Sequence, residues 1–394
     1  MPLEITRAAA RSNSAIIVGA GIVGMSAAYF LSQAGWNVTV LDAETPAAGA
    51  TGAADGAVSV ASKKAGPLMT LAVAGAEFYR RLSEQGVLAD EFVLRPTFVV
   101  AAEARELPVL ERHAAQLREA GVSVRDLGKQ DLGLALGNVA PGAIAAIEVQ
   151  GDGHAIGYKV VERFRRIGNF VIKRNSAVRG LWRRAGRVAG VETEHGCEPA
   201  DVVLVAAGSG SQAFLGDRDL IRPRKGQLII TERGEGRVPA FPGPLMSCRY
   251  LLSKGSQPSA DASKARSFGL VIDPLQTGQF LIGGTREDSS DRGSTDVEAV
   301  RQLLNEAVSL VPALASLRVL RVFAGIRAAT RDGLPIVGPL AADDNVWIAT
   351  GFEGDGICLG PLIGRVCQQL ICGEPLDVDI SALDPKRFPQ AVAA

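Results

Sequence analysis

The chain has 394 residues, of which 47% are hydrophobic and 21% are charged, as expected for a globular protein large enough for two domains. Lysine and arginine together number 42, as do aspartate and glutamate, so the charge balance gives no reason to expect nucleic acid or an acidic membrane as a partner. Five scattered cysteines, no Cys-x-x-Cys pair and only three histidines argue against a metal or iron–sulfur site within the chain.

The N-terminal segment, residues 1–14, contains Arg7 and Arg11 but no apolar run, so it does not look like a signal peptide. The scattered cysteines fit a reducing compartment. We therefore expect a cytoplasmic protein without a transmembrane segment, which would reach the inner membrane only peripherally and through partner proteins.

Residues 14–42 combine an apolar strand, a Gly-x-Gly-x-x-Gly turn, an Ala-rich helix and a second strand that ends in an acid. Gly19 and Gly21 allow a tight turn that brings backbone amides close to a pyrophosphate, and Gly24 lets the helix lie against the strand. The helix N-terminus offers free N–H groups and the positive end of its dipole. Asp42 can hold ribose hydroxyls. This order predicts a site for an adenine dinucleotide, and the glycines and the acid argue against the alternative of a membrane helix.

The loop that follows, residues 46–56, consists mostly of alanine and glycine and has no hydrophobic periodicity. A flexible linker is one interpretation. Because the loop comes directly after the ribose acid, we expect it instead to wrap the ligand, with backbone N–H groups that reach phosphate or ring atoms.

The glycine turn, residues 28–31, residues 40–42 and residues 49–52 resemble, in this order, the D-amino-acid oxidase and glycine oxidase superfamily of FAD enzymes. The resemblance covers nearly the whole chain. It implies an α/β fold with a doubly wound, Rossmann-like FAD-binding domain and a second, mixed-sheet substrate domain. The implied FAD-binding domain comprises residues 12–90, 142–215 and 320–394, and the implied substrate domain comprises residues 91–141 and 216–319.

Two central segments also match the superfamily. Residues 201–208 read as a buried strand ending in Ala-Ala-Gly, and in relatives the end of this strand touches FAD. Val178 matches a position whose backbone contacts adenine. Plain core strands are the alternative for both segments. His154 could be a catalytic base, but a lone histidine at a loop end is more often structural.

Residues 249–254 resemble the family strand whose tyrosine reaches into the substrate cavity, which implies a role in catalysis for Tyr250. A core tyrosine with a satisfied hydroxyl is the alternative.

Residues 323–339 resemble the family's Gly-Leu-Arg-Pro stretch and the Asp-Gly-x-Pro turn after it. In relatives the arginine pairs with the substrate carboxylate, which implies this role for Arg327. A planar fork of donors can bind a carboxylate bidentately and so fix the substrate Cα–H bond over the flavin. Ala328 replaces the usual proline. A structural ion pair is the alternative role for Arg327.

Residues 351–361 form a glycine turn that opens the last helix. Relatives place this turn against the pyrimidine edge of the flavin, where a helix N-terminus stabilises negative charge. Phe352 stands where relatives often have His or Ser, and it adds an apolar wall. Cys358 is expected to be a small buried residue rather than a covalent flavin link.

The motifs and the resemblance together imply two catalytic residues, Arg327 and Tyr250. The implied FAD contacts are Gly19, Gly21, Ile22, Val23, Gly24, Asp42, Ala43, Ala50, Thr51, Gly52, Ala53, Val178, Ala207, Gly208, Gly325, Arg327, Gly351, Gly354, Asp355, Gly356 and Ile357.

The resemblance implies that the chain oxidises the C–N bond of an amino acid or secondary amine by hydride transfer from the α carbon to flavin N5, giving an imine that hydrolyses. No residue stands out in the sequence as the base for the amine, so we expect deprotonation by solvent or through binding. Two alternatives stay open. One is a stand-alone glycine or D-amino-acid oxidase that makes hydrogen peroxide, and the other is a non-catalytic flavoprotein electron relay.

Within the superfamily, residues 61–68 and 351–357 most resemble the flavin subunits of opine oxidases, D-hydroxyproline dehydrogenase and hydrogen cyanide synthase. This implies partner subunits that carry an iron–sulfur cluster or a second nucleotide site, and FMN at a subunit junction. Lys63 and Lys64 are candidate contacts to the FMN phosphate. A solvated basic turn is the alternative for this pair of lysines.

Overall fold

The computed structural model describes residues 13–253, 266–340 and 345–388. Two large sheets organise this part of the chain: a six-stranded, largely parallel sheet and an eight-stranded, mostly antiparallel one. The predicted α/β class and the mixed character of the second sheet are confirmed. Among the described residues, none of the helices combines the length and the apolar character needed to span a membrane.

The helices and strands of the described residues are numbered in chain order. The helices are α1 Ile22–Gln33, α2 Pro67–Glu84, α3 Leu107–Glu119, α4 Lys129–Leu136, α5 Gly157–Ile167, α6 Arg249–Ser253, α7 Val297–Leu310 and α8 Gly356–Cys372. The strands are β1 Ser14–Val18, β2 Asn37–Leu41, β3 Ala57–Val58, β4 Phe92–Leu94, β5 Thr97–Ala101, β6 Val124–Gly128, β7 Ala145–Val149, β8 Gly153–Ala155, β9 Val171–Lys173, β10 Val178–Arg184, β11 Arg187–Thr193, β12 Gly196–Pro199, β13 Val202–Val205, β14 Ile221–Thr231, β15 Leu245–Ser247, β16 Ser267–Pro274, β17 Phe280–Asp288, β18 Val319–Thr330, β19 Ile336–Pro339 and β20 Val346–Thr350.

The six-stranded sheet has the order β19-β20-β13-β1-β2-β9, and only the edge strand β19 runs antiparallel to its neighbour. β1 is buried from Ala15 to Val18, as a central parallel strand covered on both faces should be. α8 lies directly against α1, because a Cβ at Gly364 would come within 2.4 Å of the Ser26 side chain and one at Gly360 within 2.8 Å of Ile22. The close approach of these helices brings both of their N-termini to one side of the sheet.

The eight-stranded sheet has the order β18-β14-β17-β16-β15-β5-β7-β6, and β5 and β15 are its parallel pair. α4 and α7 pack on it through a common apolar cluster that includes Leu132, Leu136, Leu303 and Ala307. β14, β17 and β18 are adjacent at one edge, so side chains from these three strands can share one face.

Sheet pairing departs from the predicted domain boundaries at three strands. β7 pairs with β5 and β6, and β18 pairs with β14 along its length, although both were assigned to the FAD-binding domain. β4 pairs instead with β8 in a small sheet that also contains β3, although it was assigned to the substrate domain. The domain boundaries stay a prediction, and these pairings favour other positions near residues 91, 142 and 320. Backbone hydrogen bonding between distant segments places these strands, and local sequence does not record it.

Candidate active site

A cavity of about 1260 Å³ is lined by residues of both large sheets. The glycine turn after β1 and the loop after β2 line one part of it. β14, β17 and β18 line another part, together with the N-terminus of α8. The cavity therefore connects the predicted dinucleotide turn with the predicted substrate residues.

The glycine turn is built by close backbone approaches. Gly19 has φ +108°, and a Cβ there would lie 2.5 Å from the carbonyl oxygen of Ala206. Gly21 is the N-cap residue of α1 and, as a glycine, has no side chain of its own to cap the helix. The Ile22 amide donates to Oγ1 of Thr51 at 3.0 Å, which ties the loop after β2 to the start of α1.

Asp42 lies at the end of β2, where it was predicted to hold ribose. One carboxylate oxygen accepts from the Ala20 amide at 2.7 Å, and the other accepts from the Glu44 amide at 2.8 Å. These bonds fix the carboxylate beside the glycine turn and leave lone pairs for further donors, since each carboxylate oxygen can accept two.

Most of the predicted site residues line this cavity. They are Gly19, Gly21, Ile22, Val23, Asp42, Ala43, Ala50, Thr51, Ala53, Val178, Ala207, Gly208, Tyr250, Gly325, Arg327, Gly351, Gly354, Asp355, Gly356 and Ile357. Whether each of them touches FAD stays a prediction.

Gly24 and Gly52 are not among the residues that line this cavity, and their contact with the cofactor stays a prediction. A Cβ at Gly24 would lie 2.0 Å from the Gly19 carbonyl oxygen, so this glycine allows the helix to pack on the turn. A Cβ at Gly52 would lie 2.3 Å from the Ala47 carbonyl oxygen, so this glycine allows the loop to fold on itself. Both requirements are internal to the backbone.

The loop after β2 continues across β18. A Cβ at Gly325 would lie 2.6 Å from the Ala53 side chain, so only glycine permits this crossing. The crossing brings Asp55 into the cavity wall near Arg327. Oδ1 of Asp55 accepts from the Ala57 amide at 3.1 Å, and Asp55 has no ion pair with any described residue. Asp55 was not predicted from the sequence as a site residue.

The N-terminus of α8 faces the cavity and is fixed by Lys63, whose ammonium forms an ion pair with Asp355. Burial alone would lower the pKa of Lys63, but the charge and hydrogen bond of Asp355 raise it above its ordinary value. A contact between Lys63 and an FMN phosphate, and equally a solvated basic turn, are both wrong for this residue because it is buried and paired. Lys64 is exposed at the cavity and keeps that candidate role.

Cys358 is buried behind this helix start and does not line the cavity. Its thiol donates to the Ala72 carbonyl oxygen at 3.6 Å, and burial raises its pKa to about 12. A protonated thiol that points away from the cavity fits the predicted structural role.

Arg327 lies half-buried in the cavity wall. Its guanidinium crosses β14 over Gly226, because a Cβ on that glycine would lie 2.4 Å from both terminal nitrogens. Nη1 donates to the carbonyl oxygen of Thr285 on β17 at 3.0 Å. Burial and the nearby charge of Arg286 lower its pKa, but a guanidinium stays protonated. No carboxylate of the described residues forms an ion pair with Arg327, so the structural ion pair considered from the sequence is absent there.

Tyr250 lies on α6, and the predicted strand at residues 249–254 is wrong. After β15 the Leu251 amide donates to the Cys248 carbonyl oxygen at 3.0 Å, which turns the chain into a short helix. The ring of Tyr250 lies against Gly269 and under Arg286, whose guanidinium carbon is 4.6 Å from the ring centroid. The tyrosine therefore reaches the cavity as predicted, but from a helix.

Arg286 is a cavity residue that sequence reasoning missed. The available signal was strand alternation, since Gly284, Arg286 and Asp288 fall on one face of β17 and all three line the cavity. These three residues line the cavity because β17 pairs with β14, and the sequence does not show this pairing.

A buried polar cluster lies beside this part of the cavity. Arg95 donates to both oxygens of Asp273 at 2.6 and 2.7 Å. Despite the arginine, burial raises the pKa of Asp273 to about 7. The Nε2 atom of His154 lies 3.0 Å from the Asp55 carbonyl oxygen, and burial lowers the pKa of this imidazole to about 4. His154 does not line the cavity, and its imidazole contacts a backbone carbonyl, which favours the structural role.

The residues present fit an FAD. The start of α1, whose N-cap residue is a glycine, the glycine turn beside it and the fixed carboxylate of Asp42 are the donor and acceptor set that a dinucleotide requires. Gly21 keeps the approach to these amides open, since its backbone is extended and only Thr51 lies near the position of a Cβ.

Comparison with known proteins agrees with this fit. The family model DAO, FAD dependent oxidoreductase, matches residues 14–370. Glycine oxidase of Pseudomonas aeruginosa is 27% identical, with 95% of this chain and 99% of that protein covered. Hydrogen cyanide synthase subunit HcnC of the same organism is 26% identical, with 97% and 99% covered.

Among solved structures, L-proline dehydrogenase from P. horikoshii superposes with a TM-score of 0.82 at 21% identity, covering 96% of this chain and 98% of that one. A similarity at this level of identity shows the shared fold. With the match of the family model over most of its length, the chain belongs to the DAO family of FAD-dependent oxidoreductases.

Proposed function

We propose that this protein oxidises the C–N bond of an amino acid or secondary amine of the opine or D-hydroxyproline type. The observation that carries the proposal is the guanidinium of Arg327. It is held over Gly226 and by the Thr285 carbonyl, and it faces the cavity without an ion pair to a carboxylate of the described residues. A half-buried guanidinium in this state is a ready partner for a ligand carboxylate, which it can bind through two parallel hydrogen bonds.

When bound, FAD supplies the acceptor for the two electrons of the substrate Cα–H bond, and the resulting imine is hydrolysed by water to a carbonyl compound and an amine. The protein's part is to bind and orient the substrate. Arg327 fixes the carboxylate, Tyr250 and Phe352 line the cavity beside it, and the amine nitrogen must give up its proton before oxidation.

We further propose that the chain is the FAD-binding catalytic subunit of a multi-subunit, cytoplasmic dehydrogenase. Similarity to a hydrogen cyanide synthase subunit over nearly the whole chain supports this assembly. The partners would carry an iron–sulfur cluster or a second nucleotide site. Lys64, exposed at the cavity, is the remaining candidate for the phosphate of an FMN at the junction.

A stand-alone oxidase that reduces oxygen to hydrogen peroxide is the second candidate, and the similarity to glycine oxidase favours it. Both candidates require the same amine chemistry, and they differ in the electron acceptor.

Anaerobic mixing with amines separates an enzyme from a non-catalytic electron relay. An opine or a D-proline derivative should bleach the flavin, and the matching carboxylic acid without nitrogen should not. A flavin that no amine reduces would refute the proposed reaction.

For the assembly, the chain is expressed alone and with its genomic neighbours, and the flavins and iron of each preparation are counted. Fast peroxide formation by a monomer containing FAD alone would favour the oxidase.

A further inference from the structure

The substrate end of the cavity, formed by β14, β17, β18 and residues 53–57, contains several charged side chains that are neutralised by one another. The described pairs are Lys63 with Asp355, Arg95 with Asp273, Arg224 with Glu353 and Asp288, and Arg266 with Glu287. Three charges at this end have no ion pair with any described residue. These are Arg286, Arg327 and Asp55.

Arg286 lines the cavity and has no ion pair in the part of the chain that the structure describes. Its guanidinium stacks on Tyr250, and its Nη1 atom is buried without a hydrogen-bond partner in the described structure. A buried donor that is left unsatisfied destabilises the protein. Such an atom at the wall of a ligand cavity indicates that the ligand supplies the acceptor.

Arg286 and Arg327 lie close together although they are on different strands. The guanidinium of Arg327 crosses β14 over Gly226 and bonds to the carbonyl oxygen of Thr285, the residue directly before Arg286. The charge of Arg286 in turn lowers the pKa of Arg327. Two neighbouring cations repel each other, and neither has an ion pair with a described residue, so bound negative charges would stabilise the site.

Resting on the proposed function, we propose that Arg286 binds a second substrate carboxylate and that the substrate is a secondary amine with a carboxylate on each side of its nitrogen. Arg327 takes one carboxylate and Arg286 takes the other. Asp55 supplies the negative charge that faces the ammonium between them. The two cations and one anion of the cavity thus match the two anions and one cation of an N-carboxyalkyl amino acid, whereas a cyclic amino acid such as hydroxyproline would leave Arg286 unused.

The test uses a matched pair of thioethers that cannot form an imine because sulfur replaces the amine nitrogen. Thiodiacetate has two carboxylates, and (methylthio)acetate has one. Calorimetric titration of the FAD-loaded protein should show thiodiacetate binding about 10- to 100-fold more tightly, as a charge-assisted bidentate contact allows. Arg286→Met should remove this preference and leave (methylthio)acetate affinity within about twofold, while Arg286→Lys should keep part of the preference.

Arg292→Met is the matched control, since Arg292 also lines the cavity but is half-exposed and paired with Glu44. It should leave both affinities unchanged.

Equal affinities of the two thioethers for the unmodified protein would overturn the second carboxylate site. A loss of both affinities in Arg286→Met at an unchanged melting temperature would also overturn it. Bleaching by iminodiacetate and by N-methylglycine is measured separately. Tighter binding of thiodiacetate without bleaching by either amine would support the second carboxylate site and refute the proposed oxidation. Bleaching by an amine without tighter binding of thiodiacetate would support the oxidation and refute the second carboxylate site.

Discussion

The ammonium of Lys63 and the carboxylate of Asp355 form a buried ion pair that joins the loop before α2 to the residue before α8. Their side chains are 6% and 11% exposed. The same helix start is also held by the Tyr79 hydroxyl, which donates to the Ile357 carbonyl oxygen at 2.8 Å. These contacts fix the N-terminus of α8 at the cavity wall, so the position of this part of the site depends on two residues that lie 292 positions apart in the sequence.

Removing one member of this pair should destabilise the protein. Lys63→Met leaves the carboxylate of Asp355 buried without its partner, and we expect a loss of about 3–5 kcal/mol in the free energy of unfolding. Lys63→Met combined with Asp355→Leu should recover much of this loss. Urea unfolding of the holoprotein measures both. Arg80→Met, which breaks an exposed pair with Glu77, is the control and should have no resolvable effect. A Lys63→Met protein as stable as the unmodified one would show that the pair does not hold α8.

Gly21→Trp should prevent FAD binding without preventing folding. Gly21 has an extended backbone conformation that any residue can adopt. A Cβ at this position would lie 3.3 Å from Thr51 Oγ1, which is its nearest contact. The indole would occupy the approach to the first amides of α1. Visible absorbance of the purified protein reports bound flavin. Gly133→Trp on the exposed face of α4 should stay yellow, and a yellow, normally reducible Gly21→Trp protein would refute the assignment of the turn.

Gly226→Ala should impair substrate binding while leaving the FAD in place. The new methyl group would lie 2.4 Å from the terminal nitrogens of Arg327 and so displace the guanidinium. We expect a higher half-saturating substrate concentration and an unchanged flavin content. Gly180→Ala, with nothing within 4 Å, is the control. Unchanged half-saturation in Gly226→Ala would mean that the position of Arg327 over this glycine is unimportant for binding.

His154 should make stability fall in mildly acidic solution. Its pKa is lowered to about 4 by burial and by the nearby charge of Arg95, against 6.5 for an ordinary histidine. Between these values the unfolded chain binds a proton that the folded imidazole does not, so stability decreases as the pH falls from about 6.5 to about 4 and then changes no further. Relative to His154→Gln, the unmodified protein should lose roughly 1.4 kcal/mol per pH unit in this window. Urea unfolding at several pH values measures the difference, and a difference that does not vary with pH would contradict a neutral buried imidazole.

The dinucleotide turn and the helix that leaves it could be predicted because their signals are local. The turn at Gly19 and Gly21, the start of α1 and the acid at Asp42 lie in one continuous segment. The residues of the turn interact chiefly with one another, so their spacing is sufficient evidence.

Arg286 and Gly226 could not be predicted as neighbours of Arg327, because the pairing of β14 with β17 and β18 places them there. Asp55 reaches the same region through the loop that crosses β18 at Gly325. The same holds for Lys63, for which the sequence leaves open an FMN phosphate contact or a solvated basic turn. Its ion-pair partner Asp355 lies 292 residues later in the chain, so local sequence does not show the pair. Tyr250 was placed correctly in the cavity but on the wrong element, since the turn after β15 depends on a local backbone hydrogen bond that the resemblance did not show.

The most direct test of the proposed reaction is an anaerobic titration of flavin absorbance with the amine substrate, comparing the unmodified protein with Arg327→Ala. If the guanidinium binds the substrate carboxylate, the variant should lose about 2–5 kcal/mol of binding at unchanged FAD content, as when one partner of a buried charge pair is truncated. Arg327→Lys should recover only part, because a point charge cannot supply the fork. Arg321→Ala, an exposed change on the same strand, should titrate like the unmodified protein. If the Arg327→Ala flavin is reduced at the substrate concentrations that reduce the unmodified protein, the carboxylate is bound elsewhere and the proposed site is wrong.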